Sequence, residues 1–471
     1  MQNKRDQLHA YRYLAARLVS ALVRAEPDAP ETPVRRATTG TVIGAILAVV
    51  LVAGFAVYGL ISGGGNKAWA APGVVVVEKE TGNRYVYLDG TLRPVLNYVS
   101  AMLANGKQAP VETVSRKSLA GVSHGQAIGI MGAPDALPTP AALSGGPWYS
   151  CAASHPQPDG SSAPAILLGL EPEQAAPVPE ARAVLVRADG TDYLVWRDER
   201  MRVSGASALA ALGFMSVQPV PVSPAWLNTL ASGPDLAAHL PDGTGSPGRS
   251  VGGVPTRIGQ VLVSDTTSGH KDQFVVRKDG LAAVSQTDAA LLLADPAAAA
   301  AYPGGSPVPI SVSSADIAQA QLAGSAATPG YPPLPPQPLD LLSAAGSTLC
   351  VQLSFSSDKG ALAQLVTIPS GRTRLAPAEL PAAVGNADRV AVPAGGGALA
   401  LAQSAPGVSA AALFLVTDLG VKYPVPSADV AAMLGFAGVR PVPVPTSVLG
   451  LIPTGPVLDP VAARTEWRQT R

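Results

Sequence analysis

Hydrophobic side chains follow two different patterns at the start of the chain. Over Asp6–Glu26 they recur at steps of three and four residues, which predicts an amphipathic helix. Its apolar stripe comprises Leu8, Tyr11, Leu14, Leu18 and Leu22. Residues 42–61 are instead apolar without interruption. A helix of that length spans about 30 Å, the thickness of the hydrocarbon core of a bilayer, so this run predicts a transmembrane helix.

The charges that flank the apolar run predict its orientation. Residues 1–37 contain seven basic and four acidic residues, whereas Lys67 is the only charged residue in 62–77. Because basic residues accumulate on the cytoplasmic side of a span, we expect a cell-membrane protein with its N-terminus in the cytoplasm and its large C-terminal part outside. A cleaved signal peptide is the alternative, since Ala68-Trp69-Ala70 resembles a cleavage site, but the apolar run is too long and begins too late.

Both N-terminal helices have faces that we expect to contact another helix or protein. A short, exposed helix cannot bury its apolar stripe by itself, so we expect the first helix to dock on a cytoplasmic partner. Binding to the membrane surface and dimerisation are the alternatives. Within the span, Gly40, Gly44 and Ala48 follow one another at four-residue steps. Small residues at this spacing predict a face for close helix–helix packing.

The region after the span is internally repetitive. Leu212–Val222 (LGFMSVQPVPV) recurs as Leu434–Val444 (LGFAGVRPVPV) at an offset of 222 residues. Two further copies are indicated by Tyr85–Gly90 (YVYLDG) and by Phe274–Gly280 (FVVRKDG). We expect each copy to form a strand, an Asp-Gly type of tight turn, a short strand, an Ala/Leu-rich helix and an extended Val/Pro segment.

The chain contains two cysteines, Cys151 and Cys350, with no CxxC spacing. In an oxidising compartment two such cysteines most simply form one disulfide, and two buried free thiols are the alternative. Each cysteine lies in a strand-like insertion between copies of the repeat. We therefore expect a central β core that is assembled from distant strands and locked by this bond.

These patterns predict an α+β protein with a single transmembrane helix, followed by an elongated ectodomain of four α/β repeats around a central β-sheet core. The expected divisions are a cytoplasmic helix (1–37), the transmembrane helix (38–62), repeat 1 (63–145), the first part of the central core (146–180), repeat 2 (181–256), repeat 3 (257–328), a Pro-rich linker with the second part of the core (329–400), and repeat 4 with a C-terminal tail (401–471).

Composition and motifs argue against most kinds of chemistry. The formal net charge is zero, so no global field would recruit nucleic acid. Asn105–Gln108 and Gly63–Lys67 come nearest to a Walker A loop, but neither has its first Gly, Lys and Ser/Thr in register. Gly121–Gly125 (GVSHG) matches G-x-S-x-G without the strand and helix of a nucleophile elbow, which indicates a surface turn. The five histidines are not at ligand spacing, so we expect no metal, cofactor or catalytic site.

Several segments together resemble the EccB family, the single-pass membrane component of actinobacterial type VII (ESX) secretion systems. They are Arg5–Tyr13 (RDQLHAYRY), Thr81–Leu103, Ile128–Pro138 (IGIMGAPDALP), the cysteine pair and the DG…PVP repeats. The resemblance implies a four-repeat extracytoplasmic fold around a central β domain. It also implies homodimers or higher oligomers, and assembly with an EccC-like FtsK/SpoIIIE ATPase, an EccD-like channel subunit and a mycosin protease.

The preferred interpretation is therefore a non-enzymatic structural subunit of a type VII secretion membrane complex, which scaffolds the channel and ATPase assembly and forms its extracytoplasmic part. An envelope-anchored module that binds peptidoglycan or secreted substrates is the alternative. An ATPase is the third hypothesis, and the lack of a Walker A motif argues against it.

Overall fold

The computed structural model describes residues 3–25, 33–62, 68–71, 73–152, 164–170, 172, 174–265, 271–341, 347–356, 360–369, 387, 389–404, 408 and 412–467. The chain divides into two compact units. The first contains Met1–Arg93 and Pro110–Gly125, and the second contains Pro94–Ala109 and Gln126–Arg471.

The α-helices of the described residues are short after the first two. They are α1 (Lys4–Arg24), α2 (Pro33–Ser62), α3 (Tyr98–Asn105), α4 (Arg116–Leu119), α5 (Gly205–Ala211) and α6 (Pro224–Leu227). The remaining ones are α7 (Gln286–Ala294), α8 (Ser314–Gln319), α9 (Ala428–Met433), α10 (Thr446–Leu449) and α11 (Pro460–Arg464). Short 3-10 helices cover Ala68–Ala70, Pro140–Ala142 and Pro296–Ala301.

The strands of the first half are β1 (Val75–Glu78), β2 (Arg84–Leu88), β3 (Thr91–Pro94), β4 (Val111–Val114), β5 (Trp148–Cys151), β6 (Ala165–Leu168) and β7 (Ala176–Pro177). They continue with β8 (Arg182–Ala188), β9 (Thr191–Trp196), β10 (Glu199–Arg202), β11 (Val220–Pro221) and β12 (Ala231–Ser232).

The strands of the second half are β13 (Val261–Asp265), β14 (Lys271–Arg277), β15 (Gly280–Val284), β16 (Ile310–Ser311), β17 (Leu322–Ser325), β18 (Gln337–Pro338) and β19 (Ser347–Ser356). They end with β20 (Gly360–Pro369), β21 (Arg389–Ala391), β22 (Gly397–Gln403), β23 (Leu413–Thr417), β24 (Lys422–Val425) and β25 (Val442–Pro445). The α+β class predicted from the sequence is confirmed.

Four of the sheets share one topology, and we call them repeats 1 to 4. Their strand orders are β3-β2-β1-β4, β11-β8-β9-β10-β12, β16-β13-β14-β15-β17 and β24-β23-β22-β25. In each sheet the first three strands form an antiparallel meander, and a fourth strand returns after a helix to lie parallel to the first. The sequence interpretation omitted the opening strand of this unit, because it precedes the recurring motif.

The tight turns differ among the repeats. In repeat 1 the second hairpin turns at Asp89 and Gly90, with φ values of 49° and 77°, as the Asp-Gly motif predicts. In repeat 3 the prediction is wrong, because the turn falls on Lys278-Asp279 and Gly280 already belongs to β15. A Cβ atom at Gly280 would lie 2.3 Å from the carbonyl oxygen of Gln321, so this glycine permits a close approach of two backbones.

The fifth sheet has the order β21-β6-β5-β19-β20-β7 and is built from strands on both sides of repeats 2 and 3. Its neighbouring strands β5 and β19 are antiparallel, with Cys151 directly opposite Cys350. The two sulfur atoms are 2.08 Å apart in a disulfide bond. A central β sheet and a Cys151–Cys350 bond are therefore both present.

One apolar core joins this central sheet to repeats 2 and 4. Trp148 on β5 and Trp226 on α6 are fully buried within it, together with Val416 of repeat 4. The indole Nε1 of Trp226 donates a hydrogen bond to the carbonyl oxygen of Ser150 at 2.9 Å. The indole is therefore both packed and hydrogen-bonded, as a buried tryptophan normally is.

Lys422, the first residue of β24, is a buried cation with a structural role. It is 7% exposed, and its Nζ donates to the carbonyl oxygens of Leu449 at 2.5 Å and Ile452 at 2.6 Å. Leu449 is the last residue of α10, and a cation interacts favourably with the C-terminal end of a helix, whereas Ile452 follows in the next turn of chain. Burial lowers the pKa of the Lys422 ammonium group.

Removal of the disulfide is expected to destabilise the ectodomain. The bond joins residues 199 apart in sequence and so restricts the unfolded chain strongly. For Cys151→Ala/Cys350→Ala in detergent-solubilised full-length protein we expect a loss of about 2–4 kcal/mol, measured by chemical denaturation without reductant. Reductant should lower the stability of the wild-type protein and leave the stability of the double variant unchanged. Equal denaturation midpoints for the two proteins would contradict the prediction.

Lys422→Met is expected to lower stability in a pH-dependent manner. The variant leaves two buried carbonyls without a donor, at a cost of about 1–3 kcal/mol. Because the pKa of Lys422 is lower in the folded state, the unfolded state binds more protons between that pKa and the ordinary lysine value. Wild-type stability should therefore rise with pH through this window relative to Lys422→Met. Denaturation midpoints at several alkaline pH values test this, and Lys278→Met, at an exposed lysine, is the control. A stability difference between wild-type protein and Lys422→Met that stays constant across these pH values would refute the prediction.

Candidate interaction surfaces

Helix α1 presents its predicted apolar stripe to solvent. Leu8, Tyr11, Leu14, Leu18 and Leu22 are all more than half exposed, and Leu22 reaches 81%. The helix ends at Ala25, whose left-handed backbone directs its N–H to the carbonyl oxygen of Ala21. The structure thus brings the five stripe residues onto one helix and leaves them available to another molecule.

Helix α2 contains one stretch that is long and apolar enough to cross a membrane. This stretch is Ala37–Gly59, with a mean hydropathy of 2.5 and none of its residues buried. Pro33 begins the helix, at a position where a missing N–H costs nothing. Gly40, Gly44 and Ala48 are exposed. Apart from the neighbouring backbone of α2 itself, no atom of the described residues lies within 4 Å of a Cβ added at either glycine. The predicted packing face is therefore open, and its use stays a prediction.

A third surface, which the sequence analysis missed, lies where the C-terminal segment crosses the loop after α4. Trp467 N–H donates to the carbonyl oxygen of Ala127 at 2.8 Å, and Gly129 N–H donates to that of Thr465 at 3.4 Å. Exposed apolar side chains lie on these two segments and at Leu96, whose N–H donates to the carbonyl oxygen of Ile128 at 3.1 Å. We call them the C-terminal apolar patch: Leu96, Met131, Val457, Val461 and Trp467.

Helix α11 fixes the centre of this patch. Asp459 caps the helix by accepting a hydrogen bond from Ala462 N–H at 3.0 Å, and Ala463 is fully buried. The Nε of Arg464 donates to the carbonyl oxygen of Ala104 at the end of α3, at 2.8 Å. Val461 points outward and is 75% exposed. No local sequence signal marked this surface, because Val457 precedes the N-cap of α11 and shares no helix face with Val461.

The largest of the described cavities lies beside repeat 3 and has a volume of about 780 Å³. His239, Asp242, Arg277 and Asp288 are among its lining residues. Asp288 already accepts hydrogen bonds from the Ser285 and Thr328 hydroxyl groups, and Arg277 pairs with Asp279 at 3.3 Å. The charges of Asp288 and Arg277 are therefore paired within the local fold, and the described lining of the cavity contains no evident catalytic arrangement.

The motifs considered for chemistry lie in unsuitable surroundings. Gly106 terminates α3 with φ 71°, so Lys107 follows a helix C-terminus, whereas the Lys of a Walker A loop lies at a helix N-terminus, whose N–H groups bind phosphate. Ser123 is exposed after α4, and its carbonyl oxygen accepts from Leu92 N–H at 2.8 Å. This bond belongs to an isolated β-bridge between Leu92 and His124, so the turn ends before Ser123. Residues 63–67, His155 and His270 lie outside the described residues.

Comparisons with known proteins agree over almost the whole chain. The family model of the type VII secretion system ESX-1 transport TM domain B matches residues 2–469. The ESX-1 secretion system ATPase EccB1 of Mycolicibacterium smegmatis (strain MKD8) is 30% identical over 489 residues, which cover 98% of this chain and 94% of the relative. EccB1 of Mycobacterium tuberculosis (strain ATCC 25618 / H37Rv) is 29% identical over 480 residues, covering 98% and 94% respectively.

Solved structures are similar as well. A chain of the EccB3 dimer from the ESX-3 core complex matches with a TM-score of 0.66 and 27% identity, covering 83% of this chain and 100% of that one. A chain of an intact ESX-5 inner membrane complex shares the fold, with a TM-score of 0.68, 23% identity and coverage of 100% and 97%. The chain therefore belongs to the EccB family, the type VII secretion system ESX-1 transport TM domain B.

Proposed function

We propose that this chain is a non-enzymatic structural subunit of a type VII (ESX) secretion complex in the inner membrane. The observation that carries the proposal is the family match over residues 2–469, which takes in the N-terminal helix, the span and the sheet-rich region together. In this proposal α2 anchors the chain, α1 lies in the cytoplasm and the sheets lie outside. The charge difference across the span supports this orientation.

The apolar stripe of α1 is proposed to dock on the cytoplasmic parts of the complex. The partners proposed are an EccC-like FtsK/SpoIIIE ATPase and an EccD-like channel subunit, with a mycosin protease on the outer side. Five exposed apolar side chains on one helix support a helix-in-groove contact, because such a face is stable only when covered. The outward glycines of α2 support a further contact within the membrane.

Curated relatives have ATPase in their names, but we propose that this chain does not hydrolyse nucleotide. The support is geometric, since Gly106-Lys107 lies at a helix C-terminus, whose carbonyl groups repel phosphate. The test is phosphate release by the purified full-length chain. ATP hydrolysis that co-elutes with the protein through successive columns would overturn this assignment.

The C-terminal apolar patch is proposed to form the contact between two copies of the chain. Val461 and Met131 are 75% and 65% exposed there, and a solved relative is an EccB3 dimer. A twofold contact places the same patch of both copies face to face, so that each copy covers the apolar side chains of the other.

Leu14→Glu/Leu18→Glu is expected to abolish assembly of the membrane complex without affecting membrane insertion. Two charges in the stripe would be buried without partners in a docked groove. Mild detergent extraction of the tagged full-length chain, followed by identification of co-purified subunits, measures the result. His9→Glu, on the opposite and exposed face of α1, is the matched control and should retain assembly. Normal assembly of the double variant would refute docking through the stripe.

Val461→Glu is expected to weaken self-association of the full-length chain at least tenfold, because it brings two carboxylates together in an apolar contact. Light scattering of the detergent-solubilised protein across a concentration series measures the dissociation constant. Leu334→Glu, at an exposed apolar residue outside the patch, should leave the dissociation constant unchanged. If both variants associate like the wild-type protein, copies of the chain meet elsewhere.

A further inference from the structure

The fourth strand of each repeat lies at an edge of its sheet and can be compared residue by residue. Strands β4, β11, β16 and β25 each run parallel to the first strand of their repeat. Each also leads into a short helix, whose N-cap residues are Ser115, Ser223, Ser313 and Pro445 respectively. Counting back from the N-cap therefore gives equivalent positions in all four edges.

Main-chain hydrogen bonds identify the positions that face away from the sheet. In repeat 1 the N–H of Val75 donates to the carbonyl oxygen of Pro110 at 2.9 Å, so residues 110, 112 and 114 direct their main-chain groups toward β1. Successive residues of a strand direct these groups to opposite sides. The N–H and C=O groups of Val111 and Thr113 therefore point outward, two and four residues before the N-cap.

The other repeats have proline at these outward positions. The equivalent pairs are Pro219 and Pro221 in repeat 2, Pro309 and Ser311 in repeat 3, and Pro441 and Pro443 in repeat 4. In repeat 2 the N–H of Val222 donates to the carbonyl oxygen of Arg187 at 2.9 Å, which confirms that the prolines face outward. Proline has no N–H and prevents another strand from pairing, so these edges are blocked.

Repeat 1 is the exception, because its edge keeps both outward N–H donors. Val111 is 49% exposed, and Glu112 and Thr113 are exposed as well. The strand is held in place at its C-terminal end, where the Nε of Arg116 donates to Glu78 Oε1 at 2.6 Å. This edge is thus both open and ordered, which favours pairing with an added strand.

We propose that the outer edge of β4 binds an extended segment of a partner protein, with a basic side chain opposite Glu112. A second copy of the chain fits less well. Antiparallel self-pairing about a twofold axis at Glu112 would place two glutamates directly opposite each other, which is destabilising. A cation at that position of the partner strand would pair with Glu112 and set the register. This contact is separate from the C-terminal apolar patch.

The probe is a fluorescent seven-residue peptide, Thr-Val-Thr-Lys-Thr-Val-Thr, added to the full-length chain in detergent. We expect saturable binding measured by fluorescence anisotropy. Val111→Pro/Thr113→Pro, which gives repeat 1 the proline pattern of repeats 2 and 4, should weaken binding at least tenfold. The exchange Val111→Thr/Thr113→Val keeps both N–H groups and should bind like the wild-type protein. Wild-type protein that fails to bind the peptide, or a double-proline variant that binds equally well, would overturn the proposal.

Two further measurements separate the contact from a folding defect and from self-pairing. Glu112→Lys keeps every main-chain donor. It should weaken binding of the lysine peptide at least threefold and strengthen binding of a peptide that has glutamate at the central position. Bound peptide should also slow hydrogen exchange in residues 110–115 of the wild-type protein. If the double-proline variant instead lowers the mass of the oligomer and leaves peptide binding unchanged, the edge binds a second copy and the proposal is wrong.

Discussion

Strands β5 and β19 come from opposite halves of the second unit, yet they lie side by side in the central sheet, and the other contacts of that unit depend on this pairing. Bringing two distant segments together costs conformational entropy, which increases slowly with loop length. The Cys151–Cys350 bond makes the pairing permanent in an oxidising compartment. Repeats 2 and 3 lie within the loop that it closes. The core then extends from Trp148 through Trp226 of repeat 2 to Val416 of repeat 4, so the central sheet and these two repeats are not independent modules.

One topology is used four times in the chain, with different edge chemistry. A fourth strand that ends a sheet exposes main-chain donors and acceptors, and such edges invite unwanted pairing. Alternating prolines solve this problem in repeats 2 and 4 because the period of the strand places every second residue on the outer side. Val111 and Thr113 lack this protection. Repeats that look equivalent as folds are therefore different as surfaces.

The exposed apolar surfaces explain why this chain is a subunit. Three surfaces leave apolar groups uncovered. The α1 stripe and the C-terminal apolar patch expose large side chains, and one face of α2 exposes small residues. A soluble monomer rarely exposes contiguous apolar surface of this kind. The buried charges of Lys422 and Asp288, by contrast, form hydrogen bonds within the fold. The molecule is thus equipped for assembly, and its described residues contain no evident catalytic arrangement.

Local patterns in the sequence were sufficient to predict α1, the apolar helix α2, the repeat offset and the pairing of the two cysteines. Helical periodicity, uninterrupted hydropathy and a lone pair of cysteines each depend on residues that are near in sequence or few in number. Tertiary structure alone decided the features that depend on distant atoms. Gly280 is needed because the Gln321 carbonyl approaches it, Lys422 is buried against the end of α10, and the C-terminal apolar patch exists because Trp467 returns to Ala127. Such contacts join segments far apart in the chain, and no local period of hydrophobic or polar residues encodes them.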